Sequence, residues 1–168
     1  RKTKIKGLDE PPPTLAEIAE LARGRIFLFL DIKDARVDKV WAVVKEHGLS
    51  DQAILFVDDT GEYKELNELL RSGERVLFMP RLRKGESAAK LMDFFRSTPS
   101  FLHIDETTLT PETLRAVSAR RAHAYMHFPA ANSAAELRAA GLALIGQGVH
   151  FFDHDETHKV YEALSDAR

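Results

Sequence analysis

Asp31 and Lys33 stand two residues apart at the end of an apolar and aromatic run, RIFLFLDIK. On an extended strand that spacing puts both side chains on one face. Neither a carboxylate nor an ammonium group is buried unpaired without a large cost. Comparable polar groups close the later apolar runs: Asp58 and Asp59 after QAILFV, Arg81 after RVLFMP, and His103 with Asp105 and Glu106 around SFLHID. His127 comes near the end of AHAYMHF, and Asp153, His154 and Asp155 follow GVHFF. Carboxylates, imidazoles and a few cations in one place suit a hard divalent ion held by oxygen ligands and a phosphate held by Lys or Arg. For Asp31 and Lys33 a plain ion pair satisfies both groups equally well.

The seven histidines divide by position. His47 falls in a helix C-terminal turn, where the helix dipole favours it. His150 alternates with Phe151 and reads as a packing residue, while His123 and His158 read as surface residues. His103, His127 and His154 end strands and are candidates for general acid or base, the ordinary alternative being a hydrogen-bonded rim residue. No histidine pair shows the helical spacing of a zinc site. Arg81, Arg83 and Lys84 around Leu82 form either a phosphate clamp or a solvated loop. Phe94 and Phe95 are expected on a helix, in the core.

The elements that must position these groups follow from periodicity. Six runs rich in β-branched and aromatic residues begin at residues 25, 52, 75, 100, 122 and 148, and stretches with helical spacing separate them. Val37, Val40, Trp41 and Val44 make one apolar stripe, and Leu15, Ile18 and Ala22 another. Thr14 with Glu17 and Ser133 with Glu136 have the spacing of capping boxes, and Thr110 before Pro111 that of an N-cap and first helical residue. Gly24, Gly48, Gly73 and Gly141 are placed as helix stops. Strand and helix in alternation imply a mostly parallel sheet, either closed as a barrel or open and doubly wound. No glycine-rich phosphate loop is present, and polar residues at strand ends are the habit of a barrel rim. The expected fold is an α/β chain forming a TIM-type β/α barrel over residues 1–168 as a single domain.

Composition narrows the partners. With 44% hydrophobic and 30% charged residues the chain can build one core. A formal charge of -2 gives no field that would recruit nucleic acid or an anionic membrane surface. There is no cysteine, and no apolar run approaches the ~18 residues of a membrane span. The compartment stays open between cytoplasmic and periplasmic or secreted.

Six strands do not close a ring that takes about eight, so the barrel is expected to be incomplete in this chain. The chain opens on Arg1 and a basic stretch rather than on methionine. The first strand, apolar on both faces through Ile26 to Leu30, is expected to be flanked on its open side by residues upstream or by a second copy in a homo-oligomer.

The segment Pro13 to Lys33, PTLAEIAELARGRIFLFLDIK, resembles the middle of the glycerophosphodiester phosphodiesterase family, in which a Pro-Thr-Leu-x-Glu helix start precedes a strand ending in acid, hydrophobe, lysine. The runs SFLHID, AHAYMHF and G-V-H-F-F-D-H-D look like that family's closing strands. The resemblance implies a barrel enzyme that hydrolyses small-molecule glycerophosphodiesters to glycerol 3-phosphate and an alcohol, with a divalent cation (Mg2+ or Ca2+) and two acid-base histidines. It makes Asp31 the metal-binding carboxylate and Lys33 the residue facing the phosphate, with Arg81 a second phosphate candidate and His103 and His127 the candidates for proton transfer. The family usually has Glu at Asp31, so this carboxylate reaches about one methylene less far. His154 replaces a threonine before the closing acid Asp155, and the proline that commonly follows is absent. The family's His-Arg-Gly strand, Glu-x-Asp metal pair and second catalytic histidine precede the Pro-Thr-Leu element and have no counterpart here, which implies a fragment inactive on its own. The alternative from another class is a non-catalytic barrel remnant that binds a phosphorylated ligand or a protein.

Overall fold

The computed structural model describes residues 11–127 and 133–153. The chain divides into two compact units, one ending at Phe78 and the other beginning at Met79. The first contains α1 (Leu15–Ala22), β1 (Leu28–Asp31), α2 (Val37–Glu46), β2 (Ala53–Val57) and α3 (Thr60–Arg71), and β3 (Leu77–Pro80) runs across the boundary. The second contains α4 (Ala88–Phe94), β4 (Phe101–Ile104), α5 (Pro111–Ala119), β5 (His123–His127), α6 (Ala134–Gln147) and β6 (Phe151–Asp153). All six expected strands are present among the described residues, each shorter than its apolar run.

The strands form two three-stranded sheets, ordered β1-β2-β3 and β4-β5-β6. β1 runs parallel to β2 from Leu28 opposite Ala53 to Asp31 opposite Phe56. β5 runs parallel to β4, with Phe101 opposite His123, and to β6, with His127 opposite Asp153. In the second unit Leu102, Ile104, Ala124 and Met126 join Leu137, Leu144 and Val149 in a buried cluster. The period of two then leaves Phe101, His103, His123, Tyr125 and His127 on the opposite face. In the first unit Leu28, Ala53, Leu55 and Val57 are buried, whereas Phe27 and Phe29 are 64% and 46% exposed. β1 is a sheet edge among the described residues, so the expected cover on its second side is not among them.

Helix starts follow local chemistry. Thr14 Oγ1 accepts from the Glu17 amide at 3.2 Å and Glu17 returns a carboxylate oxygen to the Thr14 amide at 2.7 Å, closing the expected box. Asp59 and Glu62 close a second box. Thr110 caps α5 with Pro111 at its first position, and Ser133 caps α6. Gly24, Gly48 and Gly73 follow helices with positive φ.

Gly141 departs from expectation: it is no stop but a buried residue inside α6. Leu137, Gly141 and Leu144 lie four and three residues apart on one stripe, and the burial of both leucines outweighs the cost of about 1 kcal/mol for an interior glycine. The helix instead stops at Gly148, whose φ of 94° is open to a residue without Cβ. Phe94 also departs, being 49% exposed while Phe95 is buried. Phe94 ends α4 and Phe95 is already extended as its C-cap, so the two rings leave the chain in different directions. Trp41, on α2, is buried. Its indole N–H donates to Glu74 at 3.1 Å, and Glu74 also takes Lys45 at 2.6 Å. That cation and the indole together hold the Glu74 carboxyl below its ordinary range.

Candidate site at the C-terminal ends of the strands

In the first unit the face opposite the buried one changes from aromatic to charged along β1. Phe29 stacks on Phe56 with ring centroids 5.7 Å apart. Beyond them Asp31 ends the strand, and its Oδ1 lies 2.9 Å from Lys33 Nζ. The ammonium also stands 5.9 Å from the centre of the Phe56 ring. The hydrogen bond to Asp31 raises the Lys33 pKa, partial desolvation opposes it, and the charges of Asp31, Asp58 and Glu62 add to the rise. Asp31 and Lys33 thus share a face as the spacing predicts, but as an exposed ion pair. Asp59 is drawn elsewhere, into the cap of α3. A Glu three residues on was the available signal, the same one that identifies the box at Thr14.

In the second unit, Arg81 lies just past β3 and forms a parallel bridge with His103 of β4. The main chain carries it: Leu82 N–H donates to the His103 carbonyl at 2.9 Å. The His103 ring sits 5.4 Å from that of Tyr125. Tyr125 hydrogen-bonds to Asp153, and burial followed by that carboxylate pushes its pKa strongly up. Asp153 Oδ1 also lies 2.9 Å from Nδ1 of His127. His127 and Asp153, two of the expected site residues, therefore meet directly, and a tyrosine that spacing did not single out joins them at the same carboxylate. The signal for Tyr125 was its place two residues before His127, on the same face of one strand.

Asp105 is a turn residue. One of its oxygens accepts from the amide and hydroxyl of Thr107 at 2.8 and 2.7 Å and from those of Thr108 at 3.1 and 3.2 Å. Burial acts to raise its pKa, but these donors outweigh it and the net shift is downward. A depressed folded-state pKa contributes stability above the ordinary carboxylate pKa of about 4 that is lost as pH falls through the folded value. Asp105→Asn is accordingly expected to flatten the pH dependence of stability below about pH 4. Urea unfolding midpoints measured across that range check it, and an unchanged slope would show the turn to be uncoupled from stability.

His150 is exposed, and its ring packs edge-on to that of His123 with centroids 5.1 Å apart. Its amide donates to the Ala124 carbonyl at 3.0 Å and its Nδ1 accepts from the Ala124 amide at 3.3 Å, extending the pairing of β5 and β6 by one residue. His47 caps α2 as expected, with Nδ1 2.9 Å from the Val43 carbonyl. His123 is exposed. His154, Asp155 and His158 lie outside the described residues. Among the described residues no group of three or more His, Asp or Glu side chains could hold a metal ion, and Asp31 alone, already paired with Lys33, does not make a site for a hard cation that takes about six or more oxygens. No helix among them is long and apolar enough to cross a membrane.

The backbone superposes on a glycerophosphoryl diester phosphodiesterase from Parabacteroides distasonis with a TM-score of 0.74, over 92% of this chain and 56% of that one. The fold is that of the glycerophosphodiester phosphodiesterases. An Agrobacterium tumefaciens phosphodiesterase matches at 0.70 over 90% of this chain and 62% of its own, and a second Parabacteroides distasonis enzyme at 0.71 over 95% and 67%. Identities are 19%, 15% and 15%, so the likeness to these phosphodiesterases is one of fold. The chain spans less than two thirds of the length of the first two. No family model and no curated protein matches the sequence.

Proposed function

We propose that the chain forms part of a single β/α-barrel phosphodiesterase domain that hydrolyses a glycerophosphodiester to glycerol 3-phosphate and an alcohol. The observation that carries this is the Asp31–Lys33 pair at the end of β1, on a backbone shared with phosphodiesterases. An ammonium already held among carboxylates is placed to exchange its partner for a substrate phosphate. In the second unit Arg81 is the corresponding cation. A fixed positive charge beside the non-bridging oxygens favours the transition state, in which charge builds on them. In this proposal Asp31 is one ligand of a divalent cation, Mg2+ or Ca2+. The described residues do not complete that site, and no step is derived through the ion.

The test is hydrolysis of glycerophosphocholine, with Mg2+ or Ca2+ supplied, by the 168-residue chain and by the natural polypeptide as its gene encodes it. Release of glycerol 3-phosphate is expected from the natural polypeptide and not from the 168 residues alone. No turnover by either, across a panel of glycerophosphodiesters, would remove the enzyme proposal.

A further inference from the structure

His150, just before β6, grips Ala124 of β5 at two points. After the turn at Gly148 the Val149 amide donates back to the Leu144 carbonyl at 3.0 Å, and the next amide, that of His150, donates to the Ala124 carbonyl at 3.0 Å. The ring completes the contact, since Nδ1 of His150 accepts from the Ala124 amide at 3.3 Å. Ala124 is fully buried. Its N–H therefore meets an imidazole where a sheet ladder ordinarily supplies a carbonyl, and a buried N–H left without an acceptor is costly. A ring nitrogen accepts only when it carries no proton, so the His150 ring in this contact is neutral, with its proton on Nε2. A carbonyl accepts in acid as it does in base. An imidazole does not.

We propose that His150 is an acid-sensitive fastener of β6: neutral, its ring completes the pairing with β5, and protonated, it releases the start of the strand. A proton on Nδ1 turns the acceptor into a donor aimed at another donor. The groups that face the ring do not offset the added charge. From β5 comes the His123 ring, edge-on with centroids 5.1 Å apart and packed in turn on Phe101 and Phe151. α5 contributes Arg115 and Ser118, and α6 contributes Gln147, to the groove that His150 lines, and among the described residues lining it there is no carboxylate. On the strand itself Asp153 lies three residues on and is engaged by His127 and Tyr125. His127 responds to acid in the opposite way, because its charged form still donates to Asp153. The release is therefore confined to the start of β6, and this three-residue strand, Phe151–Asp153, hinges about its Asp153 end. The device lies within the second unit and holds whether or not the chain turns over a phosphodiester.

Nuclear magnetic resonance of the 15N-labelled natural polypeptide reads the bond directly. A scalar coupling across the hydrogen bond, from the Ala124 amide nitrogen to Nδ1 of His150, is expected at about pH 8 and is expected to vanish by about pH 5, across the range in which histidines charge. Over the same interval the protection of the Ala124 amide against hydrogen exchange, corrected for the intrinsic rate, is expected to fall by about tenfold, while that of the His127 amide stays level. Two variants separate a switch from a plain contact. His150→Asn puts an oxygen that cannot be protonated close to the place of Nδ1, so protection at Ala124 is expected to be the same at both pH values. His150→Ala lacks the acceptor and is expected to show the lower protection at both. No coupling at the higher pH, or a fall in protection that persists in His150→Asn, would overturn the proposal. A fall that survives in His150→Asn and disappears in His123→Gln would assign the response to His123 instead.

Discussion

On the proposed phosphodiesterase function, replacing Lys33 by alanine is expected to lower phosphodiester turnover by about a hundredfold and to leave the thermal unfolding temperature almost unchanged. The two halves of this expectation have different origins. Lys33 and Asp31 are 64% and 44% exposed at the side chain, and pairs of that kind contribute little to folding because water screens them. A cation that meets charge building on a phosphoryl group acts in the transition state, where its loss is felt in kcat. Lys33→Arg keeps the charge but changes the reach, so partial activity is expected. Full activity in Lys33→Ala, measured over a range of substrate and metal concentrations, would show the ion pair to be a surface feature of β1 and nothing more.

Phe78→Ala is expected to have the largest effect on stability, about 3–5 kcal/mol. Phe78 is fully buried on β3, at the end of the first unit. Its removal takes away the transfer free energy of the ring and leaves a void that fixed backbone cannot fill. Against a total stability of about 5–15 kcal/mol such a loss is a large share. Urea unfolding followed by circular dichroism checks it. A shift in midpoint corresponding to less than about 1 kcal/mol would mean that the neighbouring side chains collapse into the space.

The order of strands and helices was readable because period, caps and apolar runs are local properties, and each of the six runs contains its strand. Gly141 was misread because a glycine stops a helix only where the apolar stripe also ends, and here the stripe continues to Leu144. The Asp31–Lys33 pair was readable for the same local reason, a separation of two on one strand. The contact between His127 and Asp153 was not, because it depends on the register of two parallel strands whose paired residues lie 26 apart. Asp59 and Asp105 look like site carboxylates in a list of strand ends. Residues just past a strand also start the next helix or turn, and there a carboxylate has main-chain amides to accept from. Asp105 finds the threonine donors of its own turn, and Asp59 the amide of Glu62.

Trp41 gives the molecule a built-in optical label. It is the chain's single tryptophan and is buried against Glu74 in the first unit. Its emission therefore comes from one of the two units alone, and its shift on wetting follows the opening of α2. Far-ultraviolet dichroism instead sums the helices of both units. Denaturation curves recorded by the two signals coincide if both units unfold in one step and separate if the first unit opens at a different denaturant concentration from the second. The indole thus turns the division at Phe78 and Met79 into a measurable cooperativity.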